Sequence, residues 1–296
     1  MELWYNLPVL TRIECFGWSG AVEPCIARVV SSHGDYYRLV CNEAEGEIIA
    51  RKKKSHFAFR RMDERNCPPE TRNAESLVPI TGDFVRFRHN EIGESFITEV
   101  LPRFSRLERR DPTARRRSQT LAVNFDVLFV MMSLAEDFSV ARVMRYLALA
   151  ADMGAAEPVV VVTKADLRRE GDDARLRGLR EAVGDAARVV LVSSVDGTGI
   201  PDVEGYAAPR RTIALVGSSG VGKSTLVNRL AGEERQATQG VQEWSGRGRH
   251  TTTVRELIML PSGAMVIDTP GLREIGCVGE VDRLQAKGES THRRRK

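Results

Sequence analysis

Hydrophobic and polar residues alternate in short stretches over the first hundred residues, and then the habit of the chain changes. Residues 27–30, 36–40 and 47–50 are short and rich in β-formers. Turn-forming stretches, His33-Gly34-Asp35 and Glu43-Ala44-Glu45-Gly46, separate them. Phe84-Val85-Arg86-Phe87-Arg88 alternates with period two after Gly82-Asp83, and residues 95–101 close the set. About five short strands with no helix-length periodicity predict a small β-barrel. Residues 102–118 read as an Arg-rich linker or a mobile loop.

From about residue 121 the apolar stretches become continuous, as in strands covered on both faces. Residues 125–130, 159–162, 188–192, 212–216 and 264–268 are such runs. Between the first two, Ser139 is placed to cap a helix with Val140, Val143, Met144 and Leu147 on one stripe. Strands alternating with helical stretches predict an α/β domain with a mostly parallel sheet, in three α/β/α layers. The expected division is a barrel with its linker over 1–118, the α/β domain over 119–276, and a short basic tail over 277–296.

Composition narrows the class. The chain has 296 residues, 42% of them hydrophobic and 28% charged, with net charge +4. Such a chain can build cores and is not a disordered polyelectrolyte. It contains no run of ~18 apolar residues, so no spanning helix and no membrane partner are expected. The start, Met1-Glu2-Leu3-Trp4, lacks the pattern of a secretory leader. The five cysteines are scattered and never form a Cys-x-x-Cys pair, which fits a reducing cytoplasm and argues against a local zinc knuckle. The positive charge is concentrated. Residues 51–65 and 101–120 each carry seven basic side chains against two acidic ones, and the chain ends His292-Arg-Arg-Arg-Lys296. Such patches are either solvated faces or surfaces for a polyanion.

The strongest chemical signal is Gly217-Ser218-Ser219-Gly220-Val221-Gly222-Lys223-Ser224-Thr225, a complete phosphate-loop pattern between an apolar strand and a helix with apolar stripe Leu226, Val227 and Leu230. Glycines let backbone N–H groups turn inward onto phosphate oxygens, and the helix N-terminus adds partial positive charge. Lys223 is placed to reach the β- and γ-phosphates and Ser224 to hold Mg²⁺. Asp268, at a strand end 51 residues after Gly217, opens an Asp-x-x-Gly whose Gly271 can offer an N–H to a γ-phosphate. Asp268 suits the second Mg²⁺ contact. The Gly-rich stretch 246–253 between them is a candidate switch. Thr252 is the first choice to complete the metal shell and Thr251 the second.

Thr163-Lys164-Ala165-Asp166 stands after the strand 159–162, where guanine recognition uses Asn-Lys-x-Asp. Asp166 can accept from guanine N1–H and its exocyclic amine together, a donor pair that adenine lacks. Lys164 can pack along the base, and Thr163 keeps a hydroxyl in place of the usual amide. Ser193-Ser194-Val195, after the next strand, is placed to close over the base O6. These base elements precede the phosphate loop, whereas ordinary small GTPases run phosphate loop first. The order is a cyclic shift of the same parts.

With that order and the stretch His250-Thr251-Thr252-Thr253, the chain resembles the ribosome small subunit-dependent GTPase A family over roughly residues 25–276. The resemblance rests also on Gly82-Asp83, the segment from Leu101-Pro102-Arg103 to Arg110-Asp111, Asp137-Phe138, Arg145-Tyr146-Leu147 and residues 268–274. It implies an OB-fold for the barrel and a circularly permuted P-loop GTPase domain. It further implies GTP/GDP and Mg²⁺ as ligands, hydrolysis stimulated by the small ribosomal subunit and its rRNA, and a role in late maturation of that subunit. Leu272 stands where many GTPases have a water-orienting Gln, and the resemblance gives that task to His250. Members carry a Cys/His zinc site beyond the GTPase. Only Cys277 and His292 follow Gly271 here, and a structural zinc needs four ligands, so Zn²⁺ is not expected.

Two readings compete with an rRNA-binding, monomeric GTP hydrolase. One is a GTP/GDP-gated rRNA-binding module with little stimulated turnover. The other is a P-loop ATPase or kinase, against which Asp166 and Ser194 argue. On the barrel, Tyr36, Tyr37, Phe57 and Phe59 can serve either as stacking platforms for bases or as core.

Overall fold

A computed structural model describes residues 10–52, 78–110, 118–135, 138–232 and 255–268. After a four-residue helix α1 (Arg12–Cys15) come β1 (Ile26–His33), β2 (Tyr36–Cys41), β3 (Ile48–Lys52), β4 (Phe84–Arg88) and β5 (Ser95–Val100). They pair in the order β1–β2–β3–β5–β4, and β4 returns to β1, so the sheet closes. All contacts around the ring are antiparallel except β3 with β5. Alternation fixes which residues turn inward: Val29, Tyr37, Leu39, Ala50, Val85, Phe87 and Ile97 fill the barrel. Tyr37 is therefore core, while Tyr36 on the other face is exposed and carries the Arg51 guanidinium 4.2 Å over its ring. Phe57 and Phe59 lie outside the described residues.

Residues 106–110, which read as linker, instead form β6 (Arg106–Arg110), paired antiparallel with β7 (Ser118–Val123). The run of arginines concealed the strand in the sequence, and Leu107 of β6 is buried. The rest of the chain is β8 (Val127–Ser133), α2 (Val140–Ala150), β9 (Glu157–Thr163), α3 (Asp172–Val183), β10 (Arg188–Leu191), α4 (Ile200–Glu204), β11 (Thr212–Val216), α5 (Lys223–Ala231), β12 (Arg255–Met259) and β13 (Met265–Asp268). Ser139 caps α2 by accepting from the Arg142 N–H at 3.3 Å. Along α2 the buried stripe is Val143, Tyr146, Leu147 and Ala150, while Met144 faces solvent.

Strands β10, β9, β8, β11 and β13 run parallel in that spatial order, and β12 joins β13 antiparallel. The continuous apolar runs have the cause expected of them. Val160 and Val162 pack with Val143, Leu147, Leu176 and Leu179 of α2 and α3 on one face. Val159 and Val161 pack on the other with Val203, Leu226 and Val227 of α4 and α5. Each fully buried valine of this kind contributes about 1.5–3 kcal/mol.

Barrel and α/β sheet meet over buried polar groups. Arg28 of β1, 1% exposed, donates to the carbonyls of Phe16 and Asn124, the latter at 2.8 Å, and lies over the Phe84 ring. Burial lowers its pKa to about 10, against the opposing pull of Asp126 and Asp83. Asn124, buried with φ 51°, donates to the Gly82 carbonyl at 3.1 Å. Gly82 has no room for a side chain, since a Cβ would sit 2.6 Å from the Val123 carbonyl oxygen. Beside it Asp83 is gripped by Arg103 through two bonds of 2.7 Å. The Gly82-Asp83 and Arg103 signals of the sequence are thus joint residues.

Candidate functional site

Because β9, β10, β11 and β13 are parallel, their C-terminal ends share one edge of the sheet, where ligands of open α/β folds bind. The loop after β11 turns sharply at Gly217. A Cβ there would lie 2.6 Å from the Met131 carbonyl of β8. Gly222, with φ 97°, then delivers the chain into α5 in a left-handed conformation that favours glycine. Residues 219–225 line a cavity of 260 Å³. Ser224 and Thr225, on the first turn of α5, are among these lining residues, and a helix leaves the N–H groups of its first turn without partners in the helix. Lys223 arches over the loop, its Nζ donating to the carbonyls of Gly217 and Ser218 at 2.6 Å each. Backbone N–H groups and one ammonium make a site for a polyphosphate.

The base elements form one unit. Lys164 is left-handed, with φ 60° and ψ 43°, a conformation uncommon outside glycine that turns the chain at the end of β9. Ala165 N–H donates to the Val192 carbonyl at 3.0 Å, fastening this turn to the strand end beside it. Ser193 is fully buried, and its hydroxyl donates to Asp166 Oδ1 at 2.7 Å while accepting from the N–H groups of Val195 and Asp196. The exposed carboxylate of Asp166 is thereby oriented by the second base loop. Ser194 is half-buried and Val195 exposed beside it. Asp196 accepts from Thr198 N–H at 2.9 Å, which with the Thr198 side chain holds its carboxyl below the usual range. Gly199 closes the loop; a Cβ there would meet the Leu191 carbonyl oxygen at 2.0 Å.

Thr163 joins the two halves. Its buried hydroxyl donates to the Val221 carbonyl inside the phosphate loop at 2.6 Å, with the Met132 carbonyl 3.3 Å away. The sequence places Thr163 with the base elements, and nothing in one dimension signals its contact with residue 221. Asp268 ends β13, its backbone paired with Glu256. His250, Thr251, Thr252 and Gly271 lie outside the described residues, as do Cys277 and His292. Among the described residues, no three His, Cys, Asp or Glu side chains cluster to hold a metal, and no helix is long and apolar enough to cross a membrane.

The model of the RsgA GTPase family matches residues 100–278. The chain belongs to that family. Among relatives of this kind, the small ribosomal subunit biogenesis GTPase RsgA of Xanthomonas oryzae pv. oryzae is 44% identical over 280 residues, 94% of this chain and 74% of the relative. RsgA 2 of Lactiplantibacillus plantarum is 36% identical over 271 residues, 92% of this chain and 71% of its own. The crystal structure of YjeQ from Thermotoga maritima superposes with a TM-score of 0.59 at 25% identity, covering 85% of this chain and 77% of that one. YloQ, described as a circularly permuted GTPase, shows the same fold with a TM-score of 0.52 at 19% identity, over 85% and 73% of the two chains. The fold expected from sequence, an OB-like barrel joined to a permuted GTPase domain, is the fold of the RsgA family.

Within an RsgA-type site, Thr163 acts on the phosphate loop. Removing its hydroxyl leaves the Val221 carbonyl without that bond, a loss of about 1–3 kcal/mol. Thr163→Val is expected to weaken GTP and GDP alike by about tenfold and to leave the preference for guanine over other bases unchanged. Thr163→Ser is expected to bind like wild type. Titration with fluorescent nucleotides checks all three.

Proposed function

We propose that this chain hydrolyses GTP to GDP and phosphate, that the small ribosomal subunit stimulates it, and that it acts in late maturation of that subunit. One observation supports this above the others. The Thr163–Val221 and Ser193–Asp166 bonds unite base and phosphate elements into one site although the base elements come first in sequence. The names of the relatives, small ribosomal subunit biogenesis GTPases, point to the partner.

In this reading, residues 163–166 and 193–195 hold the guanine, with Asp166 accepting from its two donors. Residues 217–225 and the N–H of Gly271 hold the phosphates. Ser224, on the first turn of α5 at the cavity rim, and Asp268, at the end of the strand paired with β11, fit a Mg²⁺ site. Thr252 completes that set. Bound there, Mg²⁺ neutralises charge on the β- and γ-phosphates. Lys223 adds its own charge on the same oxygens, and His250 orients the attacking water. We take the domain division to fall near residue 118, the barrel and the basic stretches as the rRNA contacts, and the protein as a cytoplasmic monomer.

The test is steady-state GTP hydrolysis with and without purified small subunits. Stimulation of about 10³-fold or more, the scale of activation in trans in other GTPases, is expected, with loss in His250→Ala. Intact GTP binding without stimulation would replace hydrolysis by a nucleotide-gated rRNA-binding module.

A further inference from the structure

The GTPase sheet does not end at β12. One edge of β12 pairs with β13, from Glu256 opposite Asp268 to Met259 opposite Met265. The other edge pairs with β1 of the barrel, Ser31 opposite Glu256 and Ser32 opposite Arg255. A strand edge of this kind is a row of N–H and C=O groups that takes a strand from a partner. Here the chain's own barrel fills it. An unbroken series of hydrogen-bonded strands, β1–β12–β13–β11, therefore runs from the barrel to the phosphate loop.

The joint in that series is short. β1 and β12 share two residue pairs, fewer than any other pairing in the sheet among the described residues. Two side-chain contacts accompany it. Arg28 of β1 reaches Met265 of β13 at 3.7 Å, and Arg38 of β2 reaches Glu256 at 3.8 Å. A ladder hydrogen bond tolerates only a few tenths of an ångström before it weakens. A displacement of β12 is therefore taken up first at this two-pair joint, as broken β1–β12 bonds.

We infer that the barrel is a built-in reader of the nucleotide state, coupled to the GTPase site through the β1–β12 ladder. Linkage makes the coupling reciprocal: whatever binds the barrel differently in the two states alters nucleotide affinity by the same factor. The inference rests on reading residues 217–225 as a guanine-nucleotide site.

Hydrogen exchange of the full chain, saturated with GDP or with a non-hydrolysable GTP analogue, tests it without the ribosome. Amides of residues 31–33 are expected to differ in protection by about tenfold between the two nucleotides, within the usual 5- to 150-fold range of coupling. Amides of β5, which pairs with neither β1 nor β12, should not differ. Ser31→Cys with Glu256→Cys, at directly opposed positions within disulfide reach, should abolish the difference when oxidised, keep GDP binding, and restore the difference when reduced. Phosphate-loop amides that respond to nucleotide while residues 31–33 do not would overturn the coupling alone. Phosphate-loop amides that respond to neither nucleotide would overturn the nucleotide reading, and the coupling with it.

Discussion

Lys223→Ala is expected to raise the dissociation constants of GTP and GDP by at least about a hundredfold while the fold survives. Lys223 is the one charged residue in the stretch 217–225. Its ammonium is already drawn across the loop by two carbonyls at 2.6 Å. A polyphosphate offers the same donors a stronger acceptor, and hydrogen bonds to charged groups contribute about 1.5–3 kcal/mol each. Two such bonds correspond to about 10²–10⁴ in affinity. Lys223→Arg should not restore binding, because a planar, forked guanidinium does not replace a compact ammonium beneath a tight loop. The side chain lies at the surface of the cavity and takes no part in the apolar packing of α5, which rests on Leu226, Val227 and Ala231. Thermal unfolding of the variant should therefore stay close to wild type, and calorimetric titration with GDP reads the loss directly.

Asp166→Asn is expected to exchange guanine for xanthine as the preferred base. Guanine presents two donors to a carboxylate; xanthine presents a carbonyl where guanine has the amine. An amide can donate to that carbonyl, and a carboxylate cannot. Losing charge-assisted bonds of about 1.5–3 kcal/mol each predicts a fall in GDP affinity of about a hundredfold, with xanthosine diphosphate gaining in turn. The Ser193 hydroxyl that orients Oδ1 at 2.7 Å can donate equally to the amide oxygen, so the loop geometry is kept. Competition between the two diphosphates for a fluorescent nucleotide measures the switch. A proportional loss of both would mean that Asp166 supports the loop and does not read the base.

Much of the architecture was legible one residue at a time. Strand β2 announced itself by period-two alternation, because one of its faces is wet and the other dry: Tyr36 out, Tyr37 in, Arg38 out, Leu39 in. The α/β strands announced themselves by the absence of alternation, because helices cover both faces. The phosphate loop was legible because glycines at fixed spacing before Lys-Ser have a local cause, the close approach to Met131 at Gly217 and the left-handed turn at Gly222. The strand 106–110 was not legible, since a sequence of three arginines, a glutamate and a single leucine carries too little apolar signal, although that leucine is buried.

By itself, then, the sequence determined the two kinds of sheet, the phosphate cradle and the permuted order of its parts, all of which follow from local periodicity and turn chemistry. Only the tertiary structure decided that Thr163 braces the phosphate loop, that Ser193 aims Asp166, that Gly82, Asp83 and Arg103 belong to a joint, and that β1 continues the GTPase sheet past β12. Each of these depends on groups distant in sequence coming within hydrogen-bond reach. Residue spacing sets which face a side chain takes, and packing alone sets what that face meets.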